Sequence, residues 1–530
     1  MQISNDSSPN SIYSFMTKSL LLLLSFLYLH GTVKAQSWNP TSGSFNGSGE
    51  FMAVESSDPW VGPQLSATNG GELRFLGDVE HNGGTGVLSS SQVIVGGAFN
   101  HTNSFQSFSV RDSDGMGNFS SLTITDVANS NVSSRNFDVQ SSTLNLNSVT
   151  AAGNALVRDV ATLDILGDFD VGGSTTIVAG SDVNVGGAFN HTNSFQSFSV
   201  RDSDGMGNFS SLTIADIANS SVSSRNFDVQ SSELSLNSVA VAGDALIRDS
   251  ATLNVLQDFD ASGAVSIPAG SWVFVGGDFT KINENRSFSV SGSDFFGVRS
   301  MFEVEGTTIV VASSFTLDGP SFFSGMVATA TDAIVFDAAT ISPRAGEIGQ
   351  IDFDTTGIAT ENHALEIRSR ALYEWEFNEL GSDEISVNGD LQLSDFWELE
   401  ISAIADAVIP VSASDEFTLF TYSGDLNASV DAQGLLTRLT IDSSKLPEAY
   451  DASSVAVFDD GAGRVFLTGL SSGSALLGDV NRDGVVDFLD ISAFIAVLSV
   501  ANFQEEADLD QNGMVNFLDI SVFIQVLSAQ

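Results

Sequence analysis

Through the middle of the chain, apolar and polar residues alternate in short runs. Leu122-Thr-Ile, Leu144-Asn-Leu, Leu163-Asp-Ile and Val183-Asn-Val each do so, and each is followed by Gly, Asn, Asp or Ser. Runs of this length bounded by turn residues predict strands, and no 3.6-residue periodicity lasts beyond one turn there to compete with them. Their spacing of about 20 residues is too wide for simple hairpins and suits the coils of a parallel β-helix, in which each coil covers the apolar row of its neighbour. An antiparallel β-sandwich array is the alternative. A mostly β fold, a repetitive parallel β-helix or solenoid, is therefore the expected architecture of the body.

The runs belong to a longer repeat. The string from Val95 to Ile124 recurs unchanged from Val185 to Ile214, a shift of 90 residues, and a degraded copy begins at Val275. Leu73-Arg-Phe-Leu-Gly-Asp, Leu163-Asp-Ile-Leu-Gly-Asp and Leu253-Asn-Val-Leu-Gln-Asp keep the same period. Fixed-period repetition marks a solenoid or array, and about four coils fill one period. The blocks are 93–182, 183–272 and a partial 273–320, within a solenoid spanning 36–320. From 321 to 470 the repeat fades while alternation persists, as in Glu384-Ile-Ser-Val, Trp397-Glu-Leu-Glu-Ile and Phe417-Thr-Leu-Phe-Thr-Tyr. This region resembles, loosely, the closing part of autotransporter-type bacterial β-solenoids, which implies a β continuation or cap. Ser471-Ser-Gly-Ser opens an expected linker, 471–477.

The period changes after residue 478. Ile491, Phe494, Ile495 and Leu498, then Ile520, Phe523, Ile524 and Leu527, follow i, i+3, i+4, i+7 and predict two amphipathic helices. Each helix leaves a twelve-residue segment, DVNRDGVVDFLD from Asp479 and DLDQNGMVNFLD from Asp508. Both place oxygen-bearing side chains at positions 1, 3, 5, 9 and 12 and glycine at position 6. A hard cation takes six to eight oxygens, and this spacing wraps a chain around one. The first ligand set is Asp479, Asn481, Asp483, Asp487 and Asp490 with the Val485 carbonyl. The second is Asp508, Asp510, Asn512, Asn516 and Asp519 with the Met514 carbonyl. Gly484 and Gly513 supply the sharp turn. Two such loops, one opening at Asp479 and its copy at Asp508, predict two calcium ions.

The pair resembles a type I dockerin over Gly478 to Leu527, within a module spanning 478–530: loop plus exiting helix, twice, with Asp at position 12. The resemblance implies the calcium ligands just named. It also implies recognition of a cohesin domain through positions 10 and 11 of each loop, here Phe488-Leu489 and Phe517-Leu518. Many dockerins carry small polar residues there, so an alternative is that these apolar pairs pack on the chain's own helices.

Composition narrows the function. Nineteen basic against 66 acidic residues give a net charge of −47, which repels nucleic acid and anionic lipid and favours divalent cations. The absence of cysteine excludes disulfides and thiolate chemistry. Lys18, the apolar run Leu20–Leu29 and Val33-Lys-Ala35 have the order of a secretory signal peptide, 1–35, cleaved before Gln36, with Met16 as an alternative start. The run is too short to span a bilayer, so an extracellular or cell-surface location is expected. Asp112, Asp114 and Asn118, duplicated as Asp202, Asp204 and Asn208, form either a second calcium site or a plain Asx/Gly turn.

No catalytic motif stands out. Arg111, Arg135 and Arg158 recur as Arg201, Arg225 and Arg248, and His101 recurs as His191, which marks repeat architecture. With five Trp and five Tyr, aromatic platforms for sugars are few. The favoured reading is a secreted, non-catalytic β-solenoid attached through a calcium module to a cohesin-type partner or an extracellular polysaccharide. The alternative is a polysaccharide hydrolase or lyase carrying the same module.

Overall fold

A computed structural model describes residues 60–529, except 63, 112–119, 202–208, 284, 293–297, 313–314, 319–320, 329–333, 344–347, 355–363, 380, 405–408, 448, 473–477, 481–485, 487, 501–506 and 511; it adds the strands 37–39, 44–46 and 49–53. The signal-peptide segment 1–35 lies outside the described residues. The chain divides into two compact units, up to Gly167 and from Asp168 onward.

In the first unit three strands make one coil. Phe99–His101 lies in a first sheet, Phe108–Arg111 in a second and Ser121–Ile124 in a third. Each pairs in parallel with its counterpart in the next coil; in the first sheet Phe99 pairs with Val79, Asn100 with Asn131, and Asn131 with Ser148. Burial alternates along every strand, as in Leu144 and Leu146 inward with Thr143 and Asn145 outward. Parallel pairing throughout this repeat rules out the antiparallel sandwich, which would pair sequential strands by hairpins. Phe99, Phe108 and Phe137 form an interior stack, with ring centroids 6.0 and 5.1 Å apart.

The second unit opens with coils of the same kind. Phe169 pairs with Phe189, Asn190 with Ser221, Ser221 with Ser238 and Val239 with Phe259. These four steps carry the chain through one repeat period, and they are unequal, the step from Asn190 to Ser221 being the longest. That long coil carries the segment 202–208 and a 3-10 turn at Ile217–Asn219. Phe189, Phe198 and Phe227 repeat the aromatic stack at 5.8 and 5.1 Å.

Parallel pairing continues beyond the fading of the repeat. In the second sheet Phe315 pairs with Ile334, Ile334 with Leu365, Leu365 with Leu391 and Leu391 with Leu426. Residue 320 is therefore a boundary in sequence similarity, not in coil structure, because inward apolar alternation is all that a coil requires. Closure comes later, where Phe417–Tyr422 and Ala456–Asp459 both pair antiparallel with Arg464–Thr468. Ser471 and Ser472, expected in a linker, instead pair with Asp451 and Tyr450, and Ser472 N–H donates to Val411 O at 2.9 Å. Composition suggested flexibility there, but backbone donors next to an open strand edge are satisfied by pairing.

The Leu-Gly-Asp repeat has a structural role. Asp78 Oδ1 accepts the N–H of Ala98 at 2.7 Å, and Asp168 Oδ1 that of Ala188 at 2.9 Å. Asp258 does the same for Asp278 at 3.0 Å, and Asp390 for Asp425 at 2.7 Å. Each carboxylate caps a backbone donor one coil on, at a corner where no sheet bond is available.

One interior position changes chemistry between copies. His191 is buried, and its third-copy counterpart is Lys281, also fully buried. Lys281 Nζ donates to Asn283 O at 3.1 Å and Arg286 O at 2.9 Å. Burial, with the nearby Arg286 charge, pushes its pKa down from 10.5 to about 8. A base whose folded pKa is lowered binds protons more weakly folded than unfolded, so its burden on stability shrinks as pH rises from about 8 to 10.5. Lys281→Met is expected to raise the unfolding temperature at pH 7, and that gain should diminish by pH 10. Thermal melts of both proteins across this range check it; a gain independent of pH would show that burial leaves the amine's pKa at its unfolded value.

Candidate functional site

The C-terminal segment is helical where the period predicted it. Helix α1 spans Asp490–Val500 and helix α2 spans Phe517–Ala529. Between them lies a small core of Val480, Val486, Phe494, Ala507, Leu509 and Phe523, in which the Phe494 and Phe523 rings stack 5.4 Å apart and nearly parallel. Two pairs of these residues occupy equivalent positions in the two loop-helix copies: Val480 with Leu509, and Phe494 with Phe523. The period placed Ile495 and Ile524 inward as well. They are instead exposed, at 59% and 57%, and Ala493, Val497 and Val522 pack against the core in their place. Two short helices share too narrow a contact to cover the full apolar stripe of each.

The second loop is described almost completely. Asp508 is buried and accepts the N–H groups of Asn512 at 3.0 Å and Gly513 at 2.7 Å. Asp519, fully buried in the first turn of α2, reaches back to accept from Asp510 N–H at 3.0 Å and Asn516 N–H at 2.8 Å. A carboxylate at a helix N-terminus is favoured by the helix dipole. Position 12 is thereby drawn beside positions 1 and 3, and the ligand oxygens of Asp508, Asp510 and Asp519 lie within 4.8 Å of one another.

Asn512 Oδ1 accepts from Met514 N–H at 3.0 Å, and Asn516 Oδ1 from Leu518 N–H at 2.9 Å. The Met514 carbonyl accepts from Asn516 Nδ2 at 3.1 Å. Gly513 has φ +83°, a conformation that L side chains resist. In the first loop Asp479 and Asp490 are buried like their counterparts. Asn481, Asp483, Val485 and Asp487 lie outside the described residues, as do Asp112, Asp114 and Asn118 with their copies Asp202, Asp204 and Asn208.

Three carboxylates this close repel by about 3 kcal/mol per pair at an effective dielectric of about 20. The donor set holds only oxygen, with neither imidazole nor thiolate, so it suits a hard divalent cation such as calcium rather than zinc or copper. Phe488, Leu489, Phe517 and Leu518 stand beside the two loops, exposed at 74%, 67%, 79% and 65%. Packing of these pairs into the module's own core is thereby excluded.

The repeated histidines and arginines are architectural. His81 and His101 stack inside the first unit with ring centroids 4.9 Å apart, and burial pushes the His81 pKa down to about 3. His101 places its two ring nitrogens 2.7 and 2.8 Å from the Gly83 and Ser133 carbonyls. Arg111 and Arg158 both flank Asp138 at 3.7 Å, and Arg248 lies 3.3 Å from Asp228 in the second unit. No described helix is long and apolar enough to cross a membrane.

Paired oxygen-rich loops, each feeding a short helix, with a shared miniature core, define a calcium-dependent attachment module. Residues 477–528 match the family model of the dockerin type I domain. Dockerin domains bind calcium and assemble with cohesin partners, and they occur on extracellular or cell-surface proteins. No curated protein matches the chain.

Proposed function

We propose that this protein is a secreted β-solenoid whose dockerin module attaches it, when loaded with two calcium ions, to a cohesin-type partner. The convergence of Asp508, Asp510 and Asp519 within 4.8 Å is the observation that carries the reading. Asp508, Asp510, Asn512, Asn516 and Asp519 with the Met514 carbonyl would hold one ion. Asp479, Asn481, Asp483, Asp487 and Asp490 with the Val485 carbonyl would hold the other. The ions supply the positive charge that lets buried carboxylates sit together, and so fix where each loop presents its next two residues. The order of charged, apolar and small residues at the N-terminus supports export. The solenoid then acts as a rigid body carried on the attachment point.

Phe488-Leu489 and Phe517-Leu518 are the proposed contact residues. Large exposed apolar side chains on a small domain are the usual anchors of an interface, and the best of them each contribute about 2 kcal/mol or more, roughly thirtyfold in affinity. Replacing all four by aspartate is expected to abolish calcium-dependent capture by a cohesin domain while calcium binding and module folding persist, since none of the four lies in the core. Titration calorimetry with a cohesin domain checks the first point and calcium titration the second. Undiminished capture would remove these residues from the interface.

A further inference from the structure

Near the end of the coils, the corners between the second sheet and the strands that follow enclose a cleft of about 450 Å³. Ser369, Gln392, Asp395, Phe396, Asn427 and Ser429 line it. These residues come from successive coils: the turn after Ala364–Ile367, the strand Asp390–Leu393 with its turn, and the segment after Leu426–Asn427. It is distant in sequence from the calcium loops and uses none of their residues.

Phe396 is the unusual member. Its φ is +66°, a left-handed conformation uncommon for any residue but glycine and asparagine and unfavourable for an aromatic one. The strain is held from both sides, because Phe396 N–H donates to Arg438 O at 2.7 Å and its carbonyl accepts from Arg370 N–H at 2.8 Å. The result is a phenyl ring 60% exposed at the cleft. Strain retained at a defined position, with an apolar ring kept in water, costs stability twice. Such costs persist where a site needs the geometry.

The rest of the lining is neutral and rich in hydrogen-bonding groups. Asp395 is compensated by Arg438 at 2.7 Å and by the Ser429 hydroxyl, which donates to it at 2.7 Å. Gln392 Nε2 donates to Glu366 Oε1 at 3.3 Å, which fixes the amide. Asn427, Ser369 and Ser429 are exposed. One flat apolar ring beside amides and hydroxyls matches a ligand with an apolar C–H face and a dense rim of hydroxyls. An anionic ligand would approach against the net charge of −47, and a peptide side chain would call for an enclosed apolar pocket, which the lining does not provide.

We infer that this cleft is a binding site for a neutral oligosaccharide, with Phe396 stacking on a sugar ring and the Gln392, Asn427 and Asp395 groups fixing its hydroxyls. The test uses the full chain with calcium, and soluble cello-, xylo-, manno- and laminari-oligosaccharides as probes, read by saturation-transfer NMR and calorimetry. At least one probe should bind, and Phe396→Ala should weaken it by about tenfold or more, the value of one lost aromatic contact. Phe396→Tyr should retain binding. Asn427→Ala should weaken it without shifting the thermal unfolding temperature, which separates recognition from folding. If no probe binds, if Phe396→Ala binds as well as the unaltered chain, or if only peptides or anionic sugars are retained, the inference is overturned.

Discussion

Calcium removal is expected to unfold residues 477–528 and leave the β-solenoid intact. The module's described core holds six buried side chains, far too few for a domain of this size to fold on burial alone. Against that small gain stand Asp508, Asp510 and Asp519 within 4.8 Å, with Asp479 and Asp490 buried in the first loop. Without a cation this repulsion is uncompensated, and loss of metal becomes loss of fold. Hydrogen exchange of peptides covering α1 and α2 should rise to the unprotected rate after chelation, while strands such as Phe227–Gln230 stay protected. Calorimetry should count two ions. The first loop has Asp at positions 1, 5, 9 and 12 and the second at 1, 3 and 12; greater charge tightens calcium binding, so Asp479→Ala should remove the stronger phase and Asp508→Ala the weaker. Unchanged protection after chelation would refute a calcium-built module.

Deleting one whole repeat should leave a folded, shorter solenoid. Removing 183–272 joins Asp182 to Val273, and both Val183 and Val273 are fully or almost fully buried, in strands of the same face. Val273 already pairs with Phe302, so the strand reaching it from Asp182 meets a prepared neighbour. Removing 183–262 instead joins Asp182 to Gly263 and feeds the second-sheet strand Val265–Pro268 into a third-face position. Apolar rows then lose their cover at the junction. The first deletion should stay soluble with an unfolding temperature near that of the parent, and the second should aggregate, as measured by solubility and thermal melts side by side. Collapse of both would mean that the coils are interlocked and not modular.

The sequence by itself determined what is contiguous. Strand positions follow from alternation, because a side chain one residue on points to the opposite face whatever surrounds it. The calcium loops are legible for the same reason: every ligand of one loop lies within a single twelve-residue segment, so their spacing alone states the geometry. The repeat period likewise has room for four coils, whatever their individual lengths.

Tertiary structure decided everything that depends on which residues meet across coils or between helices. Nothing local says that Asp78 caps Ala98, or that Lys281 enters the interior where His191 does, since those partners are set by register between coils of unequal length. Helical periodicity offered Ile495 and Ile524 as core, and only the packing of two short helices placed them outside. The same holds for Ser471 and Ser472, whose composition reads as a linker until a neighbouring strand edge claims their backbone. Phe396 carries no sequence signal at all, because its exposure comes from a strained backbone clamped by Arg370 and Arg438, which lie far from it along the chain on either side.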